Sequence, residues 1–424
     1  MKKNSLLLPI FFGILLFNLS CNNPESGNEH NNPLDRLNWS ERNYAVLNQM
    51  INDYGTGGKY YEEDKTPYIV LDWDQTCAHF DVEEAVMRYQ LFNLQFKMTK
   101  ALFRNILKDT INGVTQLSEN FNKIKLTDLN SDLISGYGFL QDNYLGFHGK
   151  MTLDEIKTTP QYKDFIVKFL FLADGYFDTP GIGMDYVFLW ELFLFTGFTV
   201  DEVKSMAKDA VSFELANNIG KQTLQSPPGL KTKAGTRSCS FHSGLRIYAE
   251  MQNLIATCRK HGIDAYIVSA SYQPVVEVFS GVGNFGYNFD PDHVIGMELE
   301  IGADGKIIPE YKKGWIKTVR HGKVEAIDKI IKSLPGKNHD PLFAAGDSDG
   351  DVEMLTKFPD MKLALIWNRV KGGAIGNLCK QAVDEMKRPD PRFILQGRNE
   401  NTGMVIPGSE TILLGITKSE LLHQ

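Results

Sequence analysis

Two aspartates with one residue between them, Asp72 and Asp74, directly follow the apolar run Tyr68-Ile69-Val70-Leu71. Such a run predicts a buried strand of a parallel sheet, and ligands of these sheets bind beyond the carboxyl ends of the strands. There one carboxylate can attack an electrophile while the other exchanges protons with the leaving group. Two crowded carboxylates also attract a hard divalent cation. Alone, however, the pair could equally be an acidic turn, so the rest of the chain has to decide.

Further polar residues lie at the ends of other predicted strands or at the start of a helix. Each has a simple structural explanation: a serine can end a strand in a turn, a lysine can be a solvated charge, and an Asp/Gly segment can be a loop. The spacing of the Asp/Gly segment does not complete a calcium-binding loop, which needs a later glutamate. Together, the order Asp-x-Asp-x-Thr, Ser, Lys, Gly-Asp-x-x-x-Asp is highly specific. The residues are Ser269 at the end of the run 265–269, Lys323 in the segment 320–327, and Asp347 and Asp351 after the run 342–346.

Alternating strands and helices must position these residues. Helices are predicted within 38–60, ending at Gly55, after Asp81, and over 243–259, and further strands at 363–367 and 411–414. This alternation predicts an α/β fold with a doubly wound parallel sheet. Residues 89–240 are helix-rich and interrupt the alternation after its first strand, so we interpret them as an inserted, mainly helical cap. The catalytic core is then formed by residues 38–88 and 241–424.

The amino-terminus has the pattern of an export signal. Lys2 and Lys3 precede a short apolar run, which predicts a signal peptide over residues 1–20, and Cys21 follows in a context that resembles a bacterial lipoprotein processing site. Residues 21–37 are mostly polar and predict a flexible tether. We therefore expect an exported protein, periplasmic or held at a bacterial membrane only through a lipid on Cys21, with a plain cleaved signal as the alternative.

The composition is that of an ordinary globular protein. The 424 residues are 42% hydrophobic and 23% charged, with a formal net charge of −7. This balance leaves no basic footprint, so nucleic acid is not expected as a partner. A small anionic substrate remains compatible, because the local charge of a site outweighs the net charge.

The four motifs resemble those of the haloacid-dehalogenase-like hydrolase superfamily, in its phosphatase branch with the cap inserted after the first motif. The resemblance implies a Rossmann-like core, a phosphomonoesterase activity, an aspartyl-phosphate intermediate and a Mg²⁺ cofactor. The second aspartate separates phosphatases from dehalogenases, which need only the nucleophile. The resemblance implies that Asp72 is the nucleophile and Asp74 the acid/base. Thr76, Ser269 and Lys323 would bind the phosphate, and the metal ion would be bound by Asp72, by the backbone carbonyl of Asp74 and by Asp347. Asp351 would orient Lys323 or a metal-bound water. Asp349 ranks below Asp347 as a metal ligand.

The surroundings of the first motif resemble exported bacterial phosphorylcholine phosphatases. These enzymes share the aspartate-rich motif, a Phe-Asp-x-Glu-Glu segment, here Phe80 to Glu84, and a Ser-Ala second motif; Gln75 stands where they commonly carry Asn. Aromatic faces bind quaternary ammonium groups, and the stretch 176–190 of the cap is rich in aromatic residues. We expect Glu83, Glu84, Tyr186 and Trp190 to contact the substrate, although the aromatic residues could instead form the core of the cap and the two acids could simply begin a helix.

Two alternatives to phosphorylcholine follow from the same residues. A phosphoserine, phosphoethanolamine or broad small-molecule phosphatase would share the motifs and the cap position, but a primary amine calls for carboxylates more than for an aromatic cage. A tethered binding protein on an inactive core would not need the intact set of catalytic residues.

Overall fold

The predicted alternation of strands and helices is present in the computed structural model, which describes residues 32–423; the predicted signal peptide and Cys21 lie outside these residues. The helices are α1 Glu41–Tyr54, α2 Val82–Phe92, α3 Lys100–Ile106, α4 Leu126–Asn143, α5 Leu153–Thr158, α6 Pro160–Asp178, α7 Met184–Leu192, α8 Val200–Ala216, α9 Ala249–Lys260, α10 Gln273–Ser280, α11 His321–Lys329, α12 Val352–Thr356 and α13 Gly373–Asp384. The strands are β1 Tyr68–Leu71, β2 Ala78–His79, β3 Gly220–Gln225, β4 Ser238–Ser243, β5 Arg246–Ile247, β6 Asp264–Tyr272, β7 Val294–Met297, β8 Leu299–Ile301, β9 Ile307–Tyr311, β10 Phe343–Gly346, β11 Leu363–Trp367, β12 Phe393–Gln396, β13 Arg398–Asn399, β14 Met404–Val405, β15 Thr411–Ile412 and β16 Ser419–Glu420.

Six strands form the central sheet in the order β12-β11-β10-β1-β6-β7, and every neighbouring pair is parallel. All four residues of β1 are buried, as expected for a strand covered on both faces. The neighbours of β1 are β6 on one side and β10 on the other, so the strand order reverses around it. A crevice opens beyond the carboxyl ends of strands at such a point, and the doubly wound α/β prediction is confirmed.

Two predicted elements have different bounds in the structure. The second strand continues to Tyr272 rather than ending at Ser269. The helix predicted to begin at residue 243 begins at Ala249, because residues 238–243 pair with β3 instead and Gly244, with a φ of +87°, turns the chain. The β3–β4 hairpin was not predicted, because its first strand is polar, has no buried residue and carries no apolar alternation.

The segment assigned to the cap divides between two hydrophobic clusters. Buried residues of α3 to α7 pack together, with Phe103, Phe165 and Trp190 among them. Val203 and Met206 of α8 pack instead with the apolar residues of the central sheet. Within the predicted cap range of residues 89–240, α8 thus packs with the central sheet rather than with the cluster formed by α3 to α7.

The two ends of the described chain pack against the core. Leu34, assigned to the flexible tether, is buried, and its backbone N–H donates to Asn48 Oδ1 at 2.9 Å, so the ordered core begins before residue 38. The first helix is capped by Ser40 and stops at Gly55, as predicted. At the other end β13 to β16 form a small sheet of their own. Among residues 32–423, no helix combines the length and apolar character that a membrane span requires.

Candidate active site

The predicted motif residues meet in one cavity of about 360 Å³ at the carboxyl edge of the central sheet. The core side supplies motif residues from the ends of β1 and β10, from within β6 and from the start of α11. The cap side closes the opposite wall with residues of α6 and α7. The motif residues that line the cavity are Asp72, Asp74, Ser269, Lys323, Asp347 and Asp351; Thr76 does not line it.

Asp72 is held at the end of β1 by two donors. Thr76 Oγ1 donates to its Oδ2 at 2.9 Å, and Lys323 Nζ donates to its Oδ1. Burial raises the pKa of Asp72 to about 8, with Asp351 adding to the rise while Lys323 opposes it. The carboxyl group is thus fixed in direction, and with a pKa of about 8 it needs positive charge beyond that of Lys323 to be ionised at neutral pH.

Thr76 has a different place from the one predicted. Its side chain is fully buried, it does not line the cavity, and its hydroxyl is engaged by Asp72. We therefore correct its predicted role: Thr76 orients the carboxylate of Asp72 rather than contacting a phosphate.

Lys323 is buried between two carboxylates. Its Nζ lies 2.7 Å from Asp351 Oδ1 in addition to its contact with Asp72. Burial alone would lower the pKa of Lys323, but Asp351 and Asp72 outweigh that effect and raise it. The ammonium group is therefore charged throughout the physiological pH range, with Asp351 holding it beside Asp72.

Asp74 lies beside Asp72 along the chain, but its side chain has other partners. Val82 N donates to Oδ1 at 2.6 Å and Ser271 Oγ donates to Oδ2 at 2.7 Å. Burial, with Asp81 adding to it, raises the pKa of Asp74 well above its ordinary value. A carboxyl group with a raised pKa holds its proton more strongly, which suits it to general acid catalysis.

Ser271 is a site residue that the sequence analysis missed. It lies two positions after Ser269 on β6, so both side chains point to the same face of the strand. Ser269 Oγ accepts from Ser271 N at 3.1 Å, while Ser271 Oγ reaches Asp74. The Ser-Ala-Ser spacing was the available signal, because period-two serines on one strand share a face.

Arg369 and Lys371 also line the cavity and were not predicted. Arg369 Nη1 donates to Asp347 Oδ2 from the loop after β11. Burial would raise the pKa of Asp347, but Arg369 and Lys371 outweigh it and lower that pKa. Two basic residues directly after a predicted strand of the same sheet were the sequence signal.

Three buried carboxylates converge in a way that fits a metal ion. Asp72, Asp347 and Asp351 each bring one oxygen to within 4.8 Å of the others, and all three are buried. Crowded, buried oxygen ligands of this kind suit a hard divalent cation such as Mg²⁺. Asp349 is not a member of this group, and its Oδ1 accepts from Ile375 N at 2.8 Å. Asp351 is a member although its Oδ1 also accepts from Lys323 Nζ and its Oδ2 from Ser348 N. The side chain of Asp74 is not a member of this group, and the predicted ligand role of its backbone carbonyl stays a prediction.

The cap contributes an apolar and acidic wall. Met184, Phe188 and Glu191 lie at positions i, i+4 and i+7 of α7 and therefore share one face of the helix. Phe177, from the end of α6, meets Phe188 edge-on with ring centroids 5.6 Å apart. These four residues line the cavity from the side of the cap.

Tyr186 and Trp190, predicted to contact the substrate, do not line this cavity. Trp190 is buried in the core of the cap, where its Nε1 donates to Ile106 O at 3.0 Å and its ring stacks on Phe169. Tyr186 packs against Tyr176 on another side of α7. Both predictions are corrected, because the rotation of α7 turns Phe188 and Glu191 toward the site instead.

Acidic residues surround the end of the cavity near the cap. Glu83 and Glu84 line it, and both have partners: Glu83 Oε2 accepts from Tyr272 N at 2.9 Å, and Glu84 Oε2 lies 3.2 Å from Arg88 Nη1. Their predicted contact with the substrate stays a prediction. Burial raises the pKa of Glu83 to about 8. Glu191 is only 4% exposed, and its Oε1 has no hydrogen-bond partner. Burial and then Glu84 raise the pKa of Glu191 well above 4.5.

Comparison with known proteins agrees with this architecture. The model of the family described as haloacid dehalogenase-like hydrolase matches residues 230–356, which contain Ser269, Lys323, Asp347 and Asp351. None of the curated proteins compared with the chain matches it. A conserved, functionally unknown protein from Anaerococcus prevotii is similar in structure, with a TM-score of 0.82, 30% sequence identity, and coverage of 92% of this chain and 100% of that chain.

More distant structures resemble the chain weakly. A phosphoserine phosphatase, in complex with an analogue of its phospho-aspartyl intermediate, has 11% identity and a TM-score of 0.31 over 72% of this chain and 87% of that chain. A protein of unknown function from Bordetella pertussis has 11% identity and a TM-score of 0.38 over 74% and 95%. These values are too low for anything about substrate to be transferred.

The family match includes three of the four motifs, and the structure brings the first motif, Asp72 and Asp74, to the same sheet edge. The cavity also holds the second carboxylate by which the phosphatases of that family differ from its dehalogenases. The chain therefore belongs to the haloacid dehalogenase-like hydrolases.

Proposed function

We propose that the protein is a phosphomonoesterase that works through an aspartyl-phosphate intermediate. The observation that carries this proposal is the position of two carboxyl groups in one cavity, Asp72 ion-paired to Lys323 and Asp74 held by Ser271 with a raised pKa. The carboxylate of Asp72 is oriented for nucleophilic attack, and the carboxyl group of Asp74 can donate a proton to the leaving group.

The reaction has two balanced steps. In the first, a carboxylate oxygen of Asp72 attacks phosphorus, the bond from phosphorus to the ester oxygen breaks, and Asp74 gives its proton to the departing alkoxide. In the second, ionised Asp74 takes a proton from water, the water oxygen attacks phosphorus, and the bond to Asp72 breaks to release phosphate. Lys323 stabilises the negative charge in both steps, because it is positively charged and adjacent to the attacking carboxylate.

A divalent cation completes this proposal. Asp72, Asp347 and Asp351 would hold it, together with the backbone carbonyl of Asp74, and we propose Mg²⁺ from the all-oxygen donor set. Bound there, the ion would supply positive charge that stabilises the transferred phosphoryl group.

For the leaving group, we propose choline. Phe177, Phe188 and Met184 offer an apolar surface, and Glu191 offers a buried carboxylate oxygen without a partner. A quaternary ammonium carries charge without hydrogen-bond donors, so it gains from aromatic faces, about 0.5–2 kcal/mol each, and from nearby negative charge. Phosphoserine carries an additional carboxylate, which Glu191 would repel in the ionised form that attracts an ammonium group.

The experiment that tests the substrate compares kcat/KM on phosphorylcholine, phosphoethanolamine and phosphoserine with the same enzyme and metal concentration. We expect phosphorylcholine to be preferred and phosphoserine to be poorest. A preference for phosphoethanolamine would support the proposed role of Glu191 and overturn that of the apolar surface formed by Phe177, Phe188 and Met184. A preference for phosphoserine would overturn both roles.

We also propose that the protein is exported and either periplasmic or attached to a membrane through a lipid on Cys21, where it acts on small phosphoesters without nucleic acid as a partner. Support comes from the basic and apolar amino-terminal segment. Expression of the full chain with Cys21→Ser, followed by cell fractionation, tests the anchor. Release of the variant from the membrane fraction is expected, and an unchanged distribution would contradict the lipid.

A further inference from the structure

A fully buried arginine near the carboxyl-terminus, Arg398, contacts the loop that contains Asp72 and Asp74. Arg398 belongs to β13, and its Nη1 donates to the backbone carbonyl of Gln75 at 3.1 Å, across 323 positions of the chain. Gln75 is the residue that follows Asp74. The contact therefore joins the last part of the fold to the peptide next to the proposed acid.

The backbone of Gln75 explains why its carbonyl needs such a partner. Its φ is +63°, in the left-handed region that non-glycine residues seldom adopt. Gln75 is 8% exposed, and a buried carbonyl has to be paired inside the protein. Arg398 supplies that pairing, so the turn is held by a side chain from outside the loop.

The guanidinium group is itself held on other sides. Its Nη1 also lies 3.1 Å from Tyr248 Oη, and Nη2 donates to Glu400 Oε1 at 2.7 Å. A planar guanidinium can satisfy several acceptors in fixed directions, whereas a lysine offers one nitrogen. Arg398 is thus braced by Glu400 and Tyr248 while it holds Gln75.

Asp74 is consequently fixed from two directions. Ser271 and Val82 hold the carboxyl group, and Arg398 holds the peptide that follows it. We propose that Arg398 is a positioning residue for the acid/base Asp74. The small sheet β13–β16 then has the role of holding Arg398 in place. This inference rests on the proposed role of Asp74 in protonating the leaving group.

Substrates with different leaving groups can distinguish a positioning role of Arg398 from a simple loss of protein stability. The p-nitrophenolate ion departs without much help from an acid, whereas the more basic phenolate needs a proton. A displaced Asp74 should therefore lower kcat/KM for phenyl phosphate more than for p-nitrophenyl phosphate. Damage to the fold alone would lower both by the same factor.

The test measures this pair of substrates with Arg398→Lys and Arg398→Met. Since general acid catalysis contributes about 10²–10⁴-fold, we expect roughly a tenfold or greater loss on phenyl phosphate beyond any loss on p-nitrophenyl phosphate. The matched control is Lys168→Met, which removes a fully buried cation paired with Asp132 and Asp164 within the cap. The control should lower the melting temperature without changing the ratio between the substrates.

Asp74→Asn, measured in parallel, separates the two levels of the proposal. If Asp74→Asn shows no such dependence on the leaving group, the acid role itself is wrong and the inference falls with it. If Asp74→Asn shows the dependence but the Arg398 variants lose activity equally on both substrates, the acid role stands and the inference is wrong.

Should neither Arg398 variant fold, the double variant Tyr248→Phe, Glu400→Gln removes two hydrogen-bond partners of the guanidinium group and keeps its charge. The same change of ratio is then expected, and an unchanged ratio would overturn the proposal.

Discussion

Replacing Glu191 by Gln tests the cation subsite with a nearly isosteric change. The side chain is buried at 4% exposure, and its Oε1 lacks a partner at the cap wall of the cavity. At a separation of about 5 Å and an effective dielectric constant of about 20, a carboxylate attracts an ammonium group by roughly 3 kcal/mol. That energy corresponds to about a hundredfold in affinity. Part of it is offset because binding must ionise a carboxyl group whose pKa is raised, at about 1.4 kcal/mol per pKa unit.

The net expectation is that Glu191→Gln raises KM for phosphorylcholine by roughly tenfold to a hundredfold. The kcat/KM for phenyl phosphate, which carries no cation, should stay unchanged. Choline should also bind the wild-type enzyme more tightly as pH rises and Glu191 ionises, with a weaker pH trend in the variant; isothermal titration with choline measures this.

The stability of the wild-type protein should fall as pH rises, whereas its affinity for choline should increase. The pKa of folded Glu191 lies above its ordinary value of 4.5, so the folded state keeps a proton that the unfolded state releases. Its contribution to stability is complete below the unfolded pKa and is lost as pH rises toward the folded pKa. Glutamine does not titrate, so the melting temperature of the variant should exceed that of the wild type increasingly at higher pH.

The control is Asp185→Asn, which neutralises an exposed acid of the same helix α7 outside the catalytic cavity. It should change neither KM nor the pH trend of the melting temperature. An unaltered KM for phosphorylcholine in Glu191→Gln would refute the cation subsite. An equal loss on phenyl phosphate would show that the substitution disturbs the catalytic residues instead.

The remaining predictions concern the catalytic carboxylates and the aromatic wall. Asp72→Asn should abolish phosphate release from p-nitrophenyl phosphate, because an amide cannot act as the nucleophile; unchanged turnover would contradict the mechanism. Asp347→Asn should raise the Mg²⁺ concentration needed for half-maximal activity, measured by metal titration, and an identical titration curve would contradict the metal assignment. Phe188→Leu should weaken binding of choline by about 0.5–2 kcal/mol relative to an uncharged alcohol, as competitive inhibition would report; equal inhibition constants in both proteins would count against the aromatic contact.

Much of the site could be predicted because its residues are tied to strand ends. The apolar run before Asp72 and the one before Asp347 predict buried parallel strands, and the carboxyl ends of such strands meet at one edge. Neighbouring residues on the same elements were nevertheless missed. Ser271 was missed because the strand was predicted to end at Ser269, and Arg369 because a basic residue after a strand is common on surfaces.

The cap could not be predicted at the same level. Helix α7 carries apolar residues on all its sides, so its sequence does not indicate which face meets the core. Tyr186 and Trp190 were chosen for their residue type, but Trp190 fills the core of the cap and Phe188 meets the cavity. Which aromatic residue serves a site depends on helix rotation, and packing against α6 decides that rotation.

The sequence by itself predicted the chemistry that we propose: local strand and helix signals place Asp72, Asp74, Lys323 and Asp347 at one edge of the sheet, and their order resembles a phosphatase motif set, which implies a nucleophile, an acid and charge-stabilising groups. Only the tertiary structure decided what surrounds them. Glu191 comes from an inserted segment, and Arg398 reaches Gln75 across 323 positions. Contacts between residues so distant in sequence depend on the packing of whole elements, so no local pattern records them.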